Sequence, residues 1–517
     1  MKRTTVFCLC LLMLLAICGA QAETEPLRVM VYDRGNMPPE YGTPANNPWT
    51  EYIHTRVLSE LDLDVTFVAV PRENDEEWVD MLLARQDAPD LLFTYSSDQF
   101  ARLCESSLLA DLTEPLAAYG DNLQQYLADV LAQGVYQGRQ YAVPALRSSA
   151  AVTSGFIRKD WLDRVGRKLS TGENGNPYLT VDQLAEVLKA FQAENLSGLG
   201  PDAPAFRSYG TTYWPVYLIL EAFLNPDSNT EEDLYTLPVF LLDGAKEGFR
   251  YLNRLVGEGL MNADFALYAD TDRTAYSRAI ADGEVGFWIN DSWFGLSTDG
   301  VVDLLQTQSP DAEVVAVDLY GPSGRPAWKY IYNLTGAYIF SPAAGKHTEA
   351  AVRYLNWLAT PEVDMVLRYG FENEHYIVRD GQMALMEPLP EGAVPRISVS
   401  DLDMVYNGCS YFSDDMDARL SLWSLPERLK TIYRQAYLVA TDNTFTIPVL
   451  DIYLPEIHDL TEQLAQIEKE LMIRTTLCTA EEFDGVWEEM VGTWKRAGGE
   501  KLMEIKRNAW KEKAPDR

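Results

Sequence analysis

The sequence predicts an α/β fold, and three observations lead to this prediction. Apolar residues make up 47% of the 517 residues and charged residues 23%, which is typical of a packed chain of two to four domains or lobes. Between residues 27 and 95, strand-like and helix-like patterns alternate, which favours a parallel sheet with right-handed crossovers. No low-complexity linker interrupts the sequence, so we expect several chain crossings to join the lobes.

The first alternating stretch places two loops on one edge of the predicted sheet. Strands are predicted at residues 27–32, 65–70 and 90–95, and helices at 49–61 and 75–85. Ligands of parallel sheets bind beyond the carboxyl ends of the strands. The loops from Arg34 to Trp49 and from Tyr95 to Asp98 are therefore predicted to lie on a binding edge.

Elements of both kinds continue along the rest of the chain. Strands are predicted at residues 151–158, 284–290, 314–319 and 331–340, and a hairpin at 134–143. Helices are predicted at residues 123–131, 159–165, 181–193, 213–224, 245–256 and 347–358, with mostly helical structure from residue 425 onward. Thr180 precedes one of these helices, and its hydroxyl is expected to cap that helix.

The first 22 residues have the pattern of a secretory signal peptide. Lys2 and Arg3 precede an apolar run at residues 6–17, and the small-x-small sequence at 20–22 suits cleavage before Glu23. This pattern predicts soluble export. The alternative is a lipid anchor at Cys18, because residues 15–18 resemble a lipobox, although Ile17 is larger than the residue that usually precedes the cysteine.

The charge and the cysteines exclude several classes of protein. A net charge of −34 repels phosphate backbones, which argues against a nucleic-acid-binding protein. Beyond the signal, Cys104, Cys409 and Cys478 can form at most one disulfide, so the fold is not built on disulfides. No later stretch reaches the eighteen or so apolar residues that a membrane span requires.

A series of local motifs, in this order, resembles the bacterial extracellular solute-binding proteins of the carbohydrate type, which serve ABC importers. Each motif alone is weak, and the resemblance rests on their order and spacing through nearly the whole mature chain. The motifs are residues 88–90 (APD), 109–112 (LADL), 138–144 (GRQYAVP), 156–163 (FIRKDWLD), 286–290 (GFWIN), 350–359 (AAVRYLNWLA) and 369–376 (YGFENEHY).

The resemblance implies a two-lobed, periplasmic-binding-protein-like α/β fold of type II, with a central sheet flanked by helices in each lobe. The hinge would consist of segments that cross near residues 143–151, 318–330 and 371–376. Lobe 1 would comprise residues 23–148 and 326–374. Lobe 2 would comprise residues 149–325 and 375–517, including a C-terminal helical extension.

In function, the resemblance implies the extracellular substrate-binding component of an ABC transporter. Such a protein would bind a carbohydrate, here an oligosaccharide, in the cleft between its lobes and deliver it to the permease subunits. It would be a secreted or cell-surface monomer without a cofactor, a bound metal or enzymatic activity. Its contact with the membrane would be limited to a lipid on Cys18.

The candidate ligand-binding residues combine aromatic rings with planar polar groups. A sugar ring has an apolar face and a rim of hydroxyls, which such side chains match. Each has a competing structural interpretation, such as Trp288 as a core residue with Trp293 exposed, Tyr213 and Trp214 as a loop-to-helix junction, His375 as a hinge residue, and Asn46 as part of its own turn. The candidates are Asn46, Trp49, Arg147, Tyr213, Trp214, Trp288, Asn290, Trp293, Tyr332, Asn333, Glu372, His375 and Tyr376.

Other functions remain as alternatives. The loops at residues 173–177 and 194–202 offer too few hard oxygen ligands for a good Ca²⁺ site. A secreted carbohydrate-active enzyme would use a pair of carboxylates, but the sequence has no HExxH, G-x-S-x-G, P-loop or dinucleotide-binding motif. The same fold could also bind a non-sugar solute or serve as a sensor.

Overall fold

A computed structural model describes most of the chain. The described residues are 24–35, 37, 39–85, 87–147, 153–211, 213–267, 274–296, 300–331, 334–379, 382–386, 389–393, 401–407, 427–450 and 454–513. The predicted signal peptide with Cys18, the candidate residues Tyr332 and Asn333, and Cys409 lie outside these ranges. Among the described residues, Cys104 and Cys478 are not in a disulfide.

Strands and helices alternate through the first half of the described chain, as predicted. The strands are β1 (Glu25–Asp33), β2 (Leu63–Pro71), β3 (Leu92–Thr94), β4 (Val135–Tyr136), β5 (Arg139–Gln140), β6 (Val143–Leu146), β7 (Ser154–Arg158), β8 (Ser170–Thr171), β9 (Pro177–Thr180), β10 (Phe287–Asn290), β11 (Val314–Tyr320), β12 (Lys329–Tyr330), β13 (Thr335–Phe340), β14 (Tyr376–Arg379), β15 (Gln382–Leu385) and β16 (Thr444–Phe445).

Helices dominate the C-terminal part of the described chain. They are α1 (Pro48–Leu61), α2 (Asp75–Ala84), α3 (Ser97–Glu105), α4 (Thr113–Tyr119), α5 (Asp121–Tyr126), α6 (Ala128–Leu131), α7 (Lys159–Arg164), α8 (Val181–Ala193), α9 (Tyr217–Phe223), α10 (Glu231–Thr236), α11 (Ala245–Gly257), α12 (Thr274–Ala281), α13 (Val301–Gln308), α14 (Thr348–Leu358), α15 (Pro361–Tyr369), α16 (Glu427–Thr441), α17 (Pro455–Leu477), α18 (Phe483–Trp494) and α19 (Glu500–Lys513).

The chain forms two compact units. Unit 1 comprises residues 1–147, 335–376 and 386–409, and unit 2 comprises 148–334, 377–385 and 410–517. Besides residues 375–376, which belong to unit 1, two longer stretches differ from the boundaries that the sequence suggests. The first is 326–334, which belongs to unit 2 because β12 pairs with β16 there. The second is 386–409, which belongs to unit 1, where the Tyr406 hydroxyl donates to the Ala359 carbonyl.

Unit 1 contains a parallel two-stranded sheet, β2–β1, and a three-stranded antiparallel sheet, β3–β13–β6. β1 and β2 pair in parallel along their full length, and a parallel bridge between Val29 and Leu91 joins β1 to the segment that leads into β3. β13 is antiparallel to both β3 and β6. The carboxyl ends of β1, β2, β3 and β6 therefore meet at one edge, which we call the carboxyl edge of unit 1.

The helix that follows β1 begins where the sequence provides a cap. The Asn47 side chain accepts hydrogen bonds from the backbone N–H groups of Trp49 and Thr50, and the Thr50 hydroxyl accepts one from the Asn47 backbone. This reciprocal pair satisfies N–H groups that the first turn leaves open. The helix then buries Ile53 and Val57 in the core of unit 1.

Unit 2 contains a mixed sheet in the order β10–β7–β11–β9–β8. β7 is antiparallel to both β10 and β11, whereas β11 and β9 are parallel. The predicted cap is confirmed, since the Thr180 hydroxyl accepts from the Gln183 backbone N–H at the start of α8. The C-terminal helices pack into the hydrophobic core that covers this sheet, where Trp494 packs edge-on against Phe240.

Candidate functional site

The carboxyl edge of unit 1 carries a cluster of two tyrosines and two arginines. Tyr32 and Arg34 lie at the end of β1, Arg72 follows β2, and Tyr95 follows β3. The rings of Tyr32 and Tyr95 are stacked with their centroids 6.2 Å apart, and the Arg72 guanidinium carbon lies 5.0 and 5.1 Å from the two centroids. Parallel pairing of the strands brings these side chains together from three separate segments.

Each of these arginines has a carboxylate partner. Arg34 binds Asp401 with two parallel hydrogen bonds, of 2.7 Å from Nε and 2.8 Å from Nη2. Arg72 Nη1 lies 2.7 Å from Asp75 Oδ2, and the Tyr32 hydroxyl donates to the same oxygen at 2.8 Å. The Arg34 and Arg72 side chains remain 31% and 38% exposed, so both guanidiniums reach solvent.

Tyr95 connects this cluster to a distant segment of the chain. Its hydroxyl accepts a hydrogen bond from Arg34 Nη2 at 3.3 Å and donates one to Asn407 Oδ1 at 2.9 Å. Burial raises the pKa of the Tyr95 hydroxyl, which therefore stays a neutral donor at physiological pH. The edge thus presents a fixed set of planar donors and acceptors beside an aromatic pair.

A buried pair of carboxyl groups anchors the segment that supplies Asp401 and Asn407. Asp403 and Asp364 are both buried, and Asp403 lies close enough to Asp364 to be affected by its charge. Burial, together with the charge of Asp364, raises the pKa of Asp403 well above its ordinary value. Asp364 is held in turn by Arg368, whose Nη2 donates at 2.7 Å.

Two of the candidate residues in unit 1 are core residues. The ring of Trp49 stacks on Phe371 with a centroid distance of 5.7 Å, and only 2% of the residue is exposed. His375 is equally buried, and its Nδ1 accepts from the Phe371 backbone N–H at 3.0 Å. Both side chains are packed in the core, and a ligand-binding role for either of them stays a prediction.

The other candidates in unit 1 are at least partly exposed. Asn46 closes a turn with Thr43 through its backbone, and its side chain is exposed. Arg147 follows β6 and is half-buried on the carboxyl edge. Glu372 is exposed, and Tyr376 is half-buried at the start of β14. A ligand-binding role for these four residues stays a prediction.

In unit 2, the end of β10 separates a core tryptophan from an exposed one. Trp288 has no exposed surface, and its ring stacks on Phe156 with the centroids 5.7 Å apart. Trp288 is therefore a core residue, whereas Trp293 is 41% exposed. Asn290 is fully buried, and within the described part of the chain its Nδ2 has no hydrogen-bond partner.

Tyr213 and Trp214 lie where the chain enters α9. Tyr213 packs edge-on against Phe249 in the core of unit 2, and burial raises the pKa of its hydroxyl well above the ordinary value. Tyr213 is half-buried as a whole, and its role as a ligand-binding residue stays a prediction. Trp214 is half-buried in a short 3₁₀-helix, Trp214–Val216, which packs against β10.

The sequence does not single out Tyr32 or Arg72 of the cluster, nor its partners Asp401 and Asn407. Arg72 could have been found, because it follows a strand that is predicted to be parallel to β1. Asp401 and Asn407 come from a segment without strand or helix periodicity, more than three hundred residues from Arg34 and Tyr95. Local sequence patterns carry no signal for such a contact.

The two loops considered for calcium use their polar groups internally. Asn174 donates to Asp442 at the end of α16, and Asn176 donates to the Leu438 carbonyl. In the other loop, the Asn195 side chain accepts from the Gly200 backbone N–H. Within the described residues, no group of three or more histidines, cysteines or carboxylates could hold a metal ion. Among the same residues, no helix is long and apolar enough to cross a membrane.

Comparisons with known proteins extend across most of the chain. Lipoprotein LipO of Bacillus subtilis (strain 168) is 22% identical over 459 residues, covering 86% of this chain and 85% of LipO. The polygalacturonan/rhamnogalacturonan-binding protein YtcQ of the same strain is 22% identical over 329 residues, covering 62% of each chain.

Solved structures show the same fold at low sequence identity. The alginate-binding protein AlgQ2, in a crystal structure without calcium ion, has a TM-score of 0.65 at 14% identity, covering 95% of this chain and 99% of AlgQ2. A solute-binding protein from Bifidobacterium longum infantis ATCC 15697, described as binding HMO, has a TM-score of 0.64 at 17% identity, covering 94% and 98%. The predicted periplasmic-binding-protein-like α/β fold is confirmed.

A family model described as "Bacterial extracellular solute-binding protein" matches residues 60–366, more than half of the chain. The match includes the second and third strands of the carboxyl edge and nearly all of the sheet of unit 2. The chain therefore belongs to the family of bacterial extracellular solute-binding proteins.

Proposed function

We propose that this protein is the carbohydrate-binding component of an ABC importer and that it binds an oligosaccharide through the carboxyl edge of unit 1. The observation that carries the proposal is the network of Arg34, Tyr95 and Asp401. Paired planar donors and acceptors match the vicinal hydroxyls of a sugar, and their mutual hydrogen bonds hold them in place before the ligand arrives.

Trp293 supports the same proposal in unit 2. Its large ring is 41% exposed just beyond β10, and an exposed aromatic face can stack on the apolar face of a sugar ring. The similarity to proteins named for binding alginate, HMO and polygalacturonan also favours a saccharide ligand. We propose binding without chemical change of the ligand, and a monomeric protein.

A panel of mono- and oligosaccharides, screened by thermal shift, tests the function. A ligand that binds only the folded state raises the melting temperature, by an amount that grows with its concentration over Kd. At least one neutral or acidic oligosaccharide is expected to raise it and to be recovered unchanged after incubation. Recovery of a cleaved or modified sugar would contradict the proposal of binding alone.

Trp293→Ala is expected to weaken oligosaccharide binding about tenfold, because the stacking surface for one sugar ring is lost. Isothermal titration with the best ligand of the panel measures the change. Tyr119→Ala provides the control, since Tyr119 is equally exposed but contacts Glu349 at the start of α14, away from the carboxyl edge. Equal affinities for wild type and Trp293→Ala would remove Trp293 from the site.

Membership of an extracellular family implies that the protein acts outside the cytoplasm. A lipid on Cys18 is the finer proposal, supported by the similarity to a protein named as a lipoprotein. Expression of the full chain and of Cys18→Ala, followed by separation of membrane and soluble fractions, tests this attachment. A membrane fraction that persists in Cys18→Ala would contradict it.

A further inference from the structure

We propose that Asp401 and Asp75 make the carboxyl edge of unit 1 selective for neutral sugars over sugar acids. This inference rests on the proposed carbohydrate-binding function and narrows the class of ligand. The inference depends on whether Arg34 and Arg72 are already paired with carboxylates of the protein. Without such partners, their guanidiniums would be the natural binding sites for a uronate carboxylate.

The contacts of Arg34 leave no free pair of adjacent N–H donors for a ligand carboxylate. A carboxylate binds a guanidinium best through two parallel N–H···O bonds, and Asp401 already occupies the Nε and Nη2 side. Within the described residues, no acceptor is bonded to Nη1 of Arg34. This nitrogen suits a single hydroxyl oxygen better than it suits a carboxylate.

Arg72 is constrained in a similar way. Its Nη1 lies 2.7 Å from Asp75 Oδ2, and the guanidinium also lies over the rings of Tyr32 and Tyr95. Asp75 cannot easily turn away, because the same oxygen accepts the Tyr32 hydroxyl. The charge of Arg72 is thus neutralised by a carboxylate that is itself held in place.

The acidic side chains on this edge are at least as many as the basic ones. Arg147 after β6 adds a third positive charge, and Asp33 at the end of β1 adds a third negative charge to those of Asp75 and Asp401. No excess of positive charge remains to attract an anion. The net charge of −34 on the chain further opposes the approach of a polyanionic saccharide.

Matched pairs of saccharides test the inference directly. Trisaccharides of galactose, mannose and glucose are compared by isothermal titration with the corresponding uronic acid trisaccharides, which differ only by oxidation at C6. For the sugar that binds best, we expect the neutral member to bind at least tenfold more tightly than the acid. Asp401→Asn is expected to shift the ratio of the two affinities toward the acid by about tenfold. The shift should be smaller at high salt, because salt screens the partly exposed charge of Arg34.

Two further variants make the result decisive. Asp75→Asn leaves Arg72 without its carboxylate and is expected to shift the ratio in the same direction, even if Asp401→Asn fails to fold. Asp111→Asn is the control, because Asp111 pairs with Arg139 at 2.6 Å outside the carboxyl edge and should leave the ratio unchanged.

The outcomes separate the inference from the function on which it rests. If the wild type binds a uronate more tightly than its neutral counterpart, the selectivity is wrong and carbohydrate binding stands. An unchanged ratio in folded Asp401→Asn and Asp75→Asn also contradicts the inference. If no saccharide of any pair or of the wider panel binds, the proposed function itself fails.

Discussion

Lys329→Met is expected to lower the free energy of unfolding by about 3–5 kcal/mol, because it leaves a buried carboxylate without its counterion. Lys329 and Asp318 are 1% and 0% exposed, and Nζ lies 2.8 Å from Asp318 Oδ2. The ammonium also donates to the carbonyls of Ala327 and Asp442, which uses all three of its donors. Methionine fills a similar volume but returns none of these interactions.

Urea unfolding of the wild type and the variant, followed by circular dichroism, measures this effect. Lys189→Met is the matched control, since Lys189 pairs with Glu258 at 2.8 Å but both side chains are largely exposed. Exposed ion pairs contribute little to stability, so the control should unfold like the wild type. The double variant Lys329→Met, Asp318→Asn is expected to recover part of the loss. Equal effects of Lys329→Met and Lys189→Met would show that the buried pair is not a stabilising unit.

The position of this ion pair shows why the boundary of unit 1 is hard to predict from sequence. The motif resemblance places residues 326–334 with the first lobe, but Lys329 is buried on β11 and β12 pairs with β16. Lys329 is only eleven residues from Asp318, but the β12–β16 pairing joins segments more than a hundred residues apart in the chain. Local periodicity shows where a strand is, not which strand it will pair with.

The elements themselves follow local patterns closely. β1, α1 and α8 lie within two residues of their predicted bounds, since amphipathic periodicity and capping residues act over a few positions. The predicted helix at 213–224 begins later, at Tyr217, because the chain around Pro215 first forms a 3₁₀ turn. The antiparallel direction of β13 has no local signature either, and only the assembled sheet reveals it.

In the candidate site too, local sequence patterns predict some residues, whereas contacts between distant segments are seen only in the structure. Trp288 is buried within β10, both of whose faces are covered, whereas Trp293 is exposed in the turn that follows the strand. The rule that ligands bind beyond parallel strands places Arg34 and Tyr95 on the edge. The carboxylate that neutralises Arg34 comes from a segment that no periodic pattern marks, so the charge balance of the site is visible only in the structure.

A second large effect is expected from pH, through a carboxyl group beside the same ion pair. Glu221 on α9 is 1% exposed, and its Oε1 accepts the Tyr330 backbone N–H at 2.6 Å. Within the described residues, Oε2 has no hydrogen-bond partner. One lysine thus faces two buried carboxyl groups, Glu221 and Asp318, and it binds Asp318 directly.

Burial raises the pKa of Glu221 to about 8, against an opposing effect of Lys329. The folded state therefore keeps a proton that the unfolded state releases above its ordinary pKa of 4.5. The contribution of Glu221 to the free energy of unfolding is greatest below pH 4.5. It falls as the pH rises from there to about 8, and above that it no longer changes. Between these two pH values, the loss is about 1.4 kcal/mol per pH unit.

Asp318 acts in the same direction at lower pH, because burial raises its pKa to about 6. Above pH 6 Asp318 contributes little further change, and the comparison with Glu221→Gln separates Glu221 from the other buried carboxyl groups. Over the two pH units from 6 to 8, the wild type is expected to lose roughly 3 kcal/mol more stability than Glu221→Gln, which keeps an acceptor for the Tyr330 N–H but cannot ionise.

Urea unfolding at several pH values measures how the stability of each protein changes with pH. Glu247→Gln is the control, since Glu247 is exposed and should leave the wild-type slope intact. Parallel stability curves for the wild type and Glu221→Gln would mean that Glu221 is ionised in the folded protein, with its charge shared between Lys329 and Tyr330 rather than neutralised by a proton.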